Sequence, residues 1–476
     1  MNEKLEKFKE YIKGKEVAMI GAGISNMASL DLLLRFGASV TMYDRSPEPT
    51  YTPDGEGGRV AAVIPILKEK GVGYHFGENY LEKLRADIIL KTPAVRYDVP
   101  ELAAAVKDGA VLSSEVGLFC ELCPCRIFAV TGSDGKTTTT TLIYKMLSEE
   151  FHGTETEIHL GGNIGTPLLP EIESIKEHDF VVLELSSFQL QTMRFSPFCA
   201  VVTNISPNHL NWHTDMTEYV ESKANIFAYQ MSGCRAVFNA ENKYTREFAS
   251  RAKSDVTLFS SKGKPDGRSI FLREDKLVFS DGDGEREIMS RQDIRLVGVH
   301  NAENYMAATA AVRGIVSDAR VKKVAREFCG VRHRLEEVAC SRGIKYYNSS
   351  IDTTPSRTIA ALNSFEDRVI LIIGGSDKNI PPEPMLPVIL EKTKFVCATG
   401  ATGEKLFGLL LDFGYPRENI IYERDFDAAV KLACGRAQSG DTVLLSPAAA
   451  SFDSFRNFEV RGDRFCDIVR KLIDNK

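Results

Sequence analysis

Residues 130–141 read VTGSDGKTTTTT: two glycines bracket Ser133 and Asp134, a single lysine follows, and five threonines run together behind it. The apolar run Arg126 to Thr131 predicts a strand and KTTTTTLIYKMLSEE predicts a helix, so Gly132-Ser133-Asp134-Gly135 must turn sharply between them. A strand, a glycine turn and a helix N-terminus make a phosphate cradle, because backbone N–H groups and the positive helix end face the anion. In this reading Gly132, Ser133, Asp134, Gly135 and Thr138 frame a nucleoside triphosphate, Lys136 reaches its terminal phosphates, and the Thr137 hydroxyl sits on Mg²⁺. Val130 stands where G-x-x-x-x-G-K-[ST] asks for glycine, so the motif is a variant. The bland alternative is an ordinary βα turn with a solvated lysine. The threonines follow from crowding: short hydroxyl side chains leave the nucleotide room and bond back to the helix backbone.

Around this loop, 476 residues with 43% hydrophobic content can bury more than one core, about two to four domains by size. Acidic and basic residues, 65 against 59, are interleaved without a basic block, which argues against a nucleic-acid partner. Ten cysteines spread over this length predict reduced cytosolic thiols, and no stretch has the length of a signal peptide's apolar core or a membrane span, so a soluble cytoplasmic protein is expected. Strand-like runs (VAMIGAG, SVTMYD, DIILKTP, FVVLELS, CAVVTNIS, VILIIGG, FVCATG, TVLLSP) alternate with amphipathic helical stretches in all three thirds, predicting α/β domains on mainly parallel sheets. The turn-rich stretch 260–291 predicts an antiparallel excursion at the edge of the middle domain. Boundaries fall near Ser113 and Gly330, giving 1–113, 114–330 and 331–476.

Glu184 ends a buried apolar strand, where a carboxylate is costly unless paired or bound to a cation, so it is a candidate Mg²⁺ ligand beside Thr137; a backbone cap is the bland alternative. The next strand ends at Asn204, Asn208 and His209, over the crevice where α/β sheets bind ligands. Asn163 lies in the glycine loop GGNIGTPLL, which can approach a phosphate closely. The N-terminal VAMIGAGISNMASLDLLLRFGASVTMYDR carries Gly21-x-Gly23 and, farther on, Asp44 at a dinucleotide-like offset, with Asn26 in place of the third glycine. An NAD-dependent oxidoreductase would explain that domain and leave the phosphate loop at residue 132 unexplained.

TGSDGKTT, GGNIGTPL, LELSSFQL, NISPNHL, YVESKANIF, GVHNAEN, HRLE, GGSDKN and LSPAAASFDSFRNFEVRGDRF together resemble the Mur ligases of bacterial cell-wall synthesis over nearly the whole chain. LELSSFQL and the last string resemble the D-glutamate-adding branch of that family. The resemblance implies a Rossmann-like UDP-substrate domain, a central P-loop ATPase domain and a C-terminal Rossmann-like amino-acid domain. It implies ligation of D-glutamate to UDP-N-acetylmuramoyl-L-alanine through an acyl phosphate, driven by ATP with two Mg²⁺ sites, in a monomer. It also implies residue roles. Lys136 holds the β/γ-phosphates, Thr137 and Glu184 one Mg²⁺, and His209 the second; Lys223 matches a lysine that CO₂ carbamylates, though a helix lysine is by default a solvated one. Asn301 and Asn304 meet the base and Arg334 the ribose or phosphates. Gly21, Ala22, Ile24, Ser25, Asp44 and Arg45 line the uridine site, with Asn163 and His209 near its sugar end. Thr353, Lys378, Ser451 and Phe458 match the D-glutamate site.

The chain also departs from the family pattern. The D-S-K-A-T-N segment appears as SSIDTT, so Ile351 replaces a lysine expected near the amino-acid carboxylate, and Asn208 and Asn211 replace acidic residues around His209. Another amino-acid ligase of the superfamily, alanine-adding or folate-type, is the nearest alternative, and a nucleotide-binding regulator without catalysis a more distant one. CELCPC (Cys120, Cys123, Cys125) raises zinc, but no partnering C-x-x-C follows.

Overall fold

The computed structural model describes residues 2–53, 60–209, 212–282, 284–296, 298–378 and 380–474; Asn211 lies outside them. Three main sheets organise the chain. The first holds β1 (Glu16–Ile20), β2 (Ser39–Asp44), β3 (Gly73–Phe76), β4 (Ile88–Lys91) and β5 (Val111–Ser113) in the order β3-β2-β1-β4-β5, all parallel. The central β1 and β4 are nearly continuous buried runs because helices such as α1 (Glu3–Ile12) and α2 (Ile24–Arg35) supply covering side chains, Leu5, Ile12, Leu30 and Leu33 among them.

The second sheet holds β6 (Arg126–Thr131), β7 (Ile158–Gly162), β8 (Phe180–Glu184), β9 (Cys199–Val202), β10 (Arg235–Asn239), β11 (Asp255–Ser260), β12 (Ser269–Arg273), β13 (Lys276–Ser280) and β14 (Glu285–Ser290). Their order is β14-β13-β12-β11-β10-β9-β6-β8-β7, parallel from β7 to β12 and antiparallel across β12-β13-β14. The antiparallel edge is the excursion that the turn-rich sequence predicts. Helices α3 (Glu115–Leu122) and α4 (Lys136–Glu150) flank β6 in the chain. Inward-facing Leu142, Ile143, Met146 and Leu147 bury α4 against β6 and β8, each contributing about 1.5–3 kcal/mol. Helices α5 (Met216–Ala228) and α6 (Val299–Val312) follow.

The third sheet holds β15 (Glu336–Ser341), β16 (Ile344–Asn348), β17 (Val369–Ile373), β18 (Thr393–Ala398), β19 (Ile420–Tyr422) and β20 (Thr442–Leu445), in the order β15-β16-β20-β17-β18-β19. Only the β15–β16 pair is antiparallel. Two apolar clusters cover it, one built around Leu371, Ile373 and Leu444 and one around Ile370, Ile372 and Phe465. Helices α7 (Pro355–Leu362) and α8 (Phe458–Asp474) belong to it. The chain divides into two compact units, Met1–Ile294 with His300–Arg326, and Arg295–Val299 with Glu327–Lys476. Among the described residues no helix is long and apolar enough to cross a membrane.

Candidate active site

Gly132 and Gly135 make the turn between β6 and α4. Gly132 has φ 150° and Gly135 φ 76°; a Cβ on the first would collide with Thr203 Oγ1, and on the second with Asn304 Oδ1. The loop is pinned from the end of β9. Ser133 N–H donates to Asn204 O (2.8 Å), Asp134 N–H to Asn204 Oδ1 (3.0 Å), and Thr203 Oγ1 to Asp134 O (2.5 Å). Ser133 Oγ adds Ser206 O at 3.0 Å and Tyr219 Oη at 2.9 Å. Lys136 Nζ donates to Ser133 O at 2.9 Å and so folds over the loop it follows.

The threonine run has a structural answer. Thr141 Oγ1 bonds back to Thr137 O (2.8 Å), and Thr139 Oγ1 donates to Asn304 Oδ1 (3.3 Å), whose amide donates to Asn301 Oδ1 (3.2 Å). Asn301 and Asn304, both buried on α6, therefore lean on the first turns of α4. Thr138 is buried and Thr137 half-buried beside Lys136.

Lys223 lies on the buried face of α5, 2% exposed, with Nζ 2.8 Å from Gly132 O and 4.8 Å from the Tyr219 ring centroid. Burial first, and the nearby Lys136 ammonium second, hold its pKa well below the ordinary lysine value. The i, i+4 stripe Tyr219, Lys223, Phe227, read on a helical wheel, was the available sequence signal that this lysine faces inward. Glu184, 1% exposed at the end of β8, accepts from Asn163 Nδ2 (2.7 Å) through Oε1, while Asn163 N–H donates to Glu184 O (2.7 Å). Glu184 Oε2 is buried without a hydrogen-bond partner among the described residues, an acceptor left open for a cation. Among the described residues no group of three His, Cys, Asp or Glu converges on a metal position.

His209 is exposed, in the left-handed region at φ 56°, with its ring edge-on to Phe188 at 5.0 Å. Asn208 Oδ1 accepts from His209 N–H at 2.9 Å, so Asn208 shapes the turn that presents the histidine. Sequence reasoning missed His213, which stacks on Phe188 at 5.5 Å, bonds Ser187 Oγ (3.0 Å) and has its pKa lowered by burial. It also missed Arg96, which reaches from the loop after β4 to Trp212 O (2.6 Å) and Glu218 Oε1 (3.0 Å).

In the first sheet the strand order reverses between β1 and β4, and Gly21 (φ 91°), Ala22, Ile24 and Ser25 sit at that switch point. Asp44 is committed to backbone: Oδ2 accepts from Ala22 N–H and Oδ1 from Ser46 N–H, at 2.7 and 2.8 Å. Arg45 beside it is exposed. Asn26 explains the missing third glycine, since its amide nitrogen lies 3.1, 2.8 and 3.3 Å from the carbonyls of Ile20, Gly21 and Leu90 and ties α2 to both strands.

In the unit of the third sheet, Lys378 Nζ donates to Thr353 Oγ1 at 2.9 Å, bringing two predicted residues together. Ser451 is buried, Phe458 opens α8, and Arg334 lies in the half-buried turn before β15. The missed residue is Arg461, 2% exposed, which donates to Ser350 Oγ and O, Ala449 O and Ala450 O at 2.9–3.1 Å and braces the backbone on either side of the predicted pocket. Where the chain departs from the family segment, Ile351 is half-buried and Asp352 buried; Asp352 accepts from Ser446 Oγ (2.9 Å), and burial pushes its pKa up to about 6.

Compared with known families, residues 130–312 match the Mur ligase middle domain and residues 333–449 the Mur ligase glutamate ligase domain. The UDP-N-acetylmuramoylalanine--D-glutamate ligase of Acetivibrio thermocellus is 49% identical over 99% of this chain and 100% of its own length. The chain belongs to the Mur ligase family. The ligases of the same name from Ruminiclostridium cellulolyticum and Clostridium novyi are each 44% identical, over 99% of this chain and all of theirs. Among solved structures, UDP-N-acetylmuramate-alanine ligase MurC from Thermotoga maritima matches with a TM-score of 0.55 at 20% identity, covering 97% of this chain and 100% of that one. A pseudomurein peptide ligase type C from Methanothermus fervidus matches at 0.53 and 17%, covering 96% and 100%. At those identities the likeness speaks for the fold.

Proposed function

We propose that this protein joins D-glutamate to UDP-N-acetylmuramoyl-L-alanine at the expense of ATP, in peptidoglycan precursor synthesis. The observation that carries the proposal is the phosphate loop of β6 and α4 with Lys136 folded over it and the open Glu184 Oε2 one strand away. A carboxylate oxygen of the UDP-linked alanine attacks the γ-phosphorus, ADP leaves, and the resulting acyl phosphate is attacked at carbon by the amine, which loses a proton as phosphate departs. Each step gathers negative charge, so the protein's task is electrostatic placement.

Lys136 and the loop N–H groups hold the phosphates, with Ser133 and Asp134 shaping the loop. Thr137 and Glu184 would hold one Mg²⁺, His209 a second; bound metal supplies charge neutralisation at the transferring phosphoryl. Lys223 is held toward its neutral amine, the form whose lone pair adds to CO₂: the Nζ–C bond forms, one N–H proton leaves, and a cation becomes a carbamate. Asn301, Asn304 and Arg334 serve the adenosine end of ATP. Gly21, Ala22, Ile24, Ser25, Asp44, Arg45 and Asn163 serve the UDP-sugar, and Thr353, Lys378, Ser451 and Phe458 the amino acid. The functional division is 1–113, 114–330 and 331–476, and the working form a cytoplasmic monomer.

The test is phosphate release from ATP with UDP-N-acetylmuramoyl-L-alanine across a panel of amino acids. D-glutamate should stimulate it at least tenfold over L-alanine, L-lysine and glycine, and Lys136→Ala should abolish it. Equal release with another amino acid would move the chain to a different ligase of the family.

A further inference from the structure

CELCPC leaves three thiols that ligation does not use. Cys123 ends α3, Cys125 immediately precedes β6, and Pro124 stands between them. A proline disfavours helix for the residue before it, and Cys123 leaves the helical region at φ −58°, ψ 128°. The bend brings the two Sγ atoms to 3.5 Å, within one S–H···S contact. The end of α3 is held in place by Asn2 Nδ2 on Leu122 O (2.8 Å) and Lys4 Nζ near Cys123 O (3.5 Å). Cys123 is buried and Cys125 half-buried. The hydrogen bond from Cys125 holds the Cys123 thiol below its ordinary pKa, with Lys4 adding to the effect. Cys120, one turn earlier, is fully buried, and burial pushes its pKa well up; it stays a core thiol.

We propose that Cys123 and Cys125 form a dithiol–disulfide site that reacts with low-molecular-weight disulfides. A thiolate of the pair attacks one sulfur of RSSR, making a mixed disulfide and releasing RS⁻, which takes up a proton. The second thiol loses its proton to water as its sulfur attacks the protein-bound sulfur, forming the Sγ–Sγ bond and releasing the second RS⁻. Two protein thiols are oxidised and one RSSR is reduced to two RSH. The sulfurs close from 3.5 Å to about 2.05 Å, and the ring staples the end of α3 to the start of the strand that runs into Gly132.

The full-length protein is incubated with oxidised glutathione, alkylated, digested and weighed. The peptide carrying Cys123 and Cys125 should lose two hydrogens and retain no glutathione, while the exposed Cys340 becomes glutathionylated as the accessible control. In either single variant, Cys123→Ser or Cys125→Ser, the partner thiol is gone, so the parent's disulfide should disappear and any glutathione taken up by the remaining cysteine should stay on it. Glutathione retained on either cysteine of the parent, or no change at the pair while Cys340 reacts, would overturn the proposal. The outcome is independent of the ligase assay.

Discussion

Burial changes what Lys223 can do. An exposed lysine is an ammonium at neutral pH; at 2% exposure, with Lys136 nearby, the charged form is disfavoured and the amine keeps its lone pair for more of the time. If the carbamate forms, enzyme depleted of bicarbonate should lose most of its turnover and regain it when bicarbonate returns, and Lys223→Ala should recover in part with a short-chain carboxylic acid; indifference to both would rule the modification out. Glu115, the first residue of α3, shows the opposite sign. Its carboxylate accepts from Leu169 N–H at 3.0 Å, yet burial pushes its pKa up to about 7 from 4.5. The fold therefore favours the protonated form, whose stabilisation is full below about pH 4.5 and lost as pH rises through about 7. That shift corresponds to about 3 kcal/mol. Glu115→Gln removes the titration, so denaturant unfolding of parent and variant should diverge by about that amount between pH 4.5 and pH 8, with the variant the more stable at pH 8. Superimposable pH dependences would refute it. At this scale the sequence placed Lys136 behind a glycine turn and Glu184 at the end of an apolar strand, because both settings have local signs. It hid Glu115 and Arg461, whose burial depends on partners 54 and 111 residues away.

Among elements, the turn between β6 and α4 was the most legible, since glycine spacing, an apolar strand and a helical run agree on one geometry. Helix α5 was less so: its lysine reads as polar in composition and falls on the buried stripe only when periodicity is followed. The bracing of the loop by Thr203, Asn204 and Asn304 was not legible, because those residues arrive from β9 and α6 by topology. Gly135→Ala tests the turn as a unit. The residue needs φ 76° and its added methyl meets Asn304 Oδ1, so the variant should lose about 1–2 kcal/mol of stability and bind ATP at least tenfold more weakly, by calorimetric titration. Unchanged ATP affinity would show that the loop does not need this conformation.

For the molecule, alternation of apolar runs and amphipathic helices foretold three mainly parallel sheets, because strands buried on both faces announce themselves as continuous apolar segments. Strand order did not follow from pattern, since crossovers place β6 between β8 and β9 rather than beside β5. That crossover assembles the site: the C-terminal ends of β6, β8 and β9 deliver Gly132, Glu184 and Asn204 to one edge. The central claim is that this edge activates a carboxylate by phosphorylation. Its most direct test uses UDP-N-acetylmuramoyl-L-alanine with both carboxylate oxygens enriched in ¹⁸O, turned over with ATP and D-glutamate. One labelled oxygen should appear in each released phosphate and the other should remain in the new amide; phosphate free of label would contradict the account.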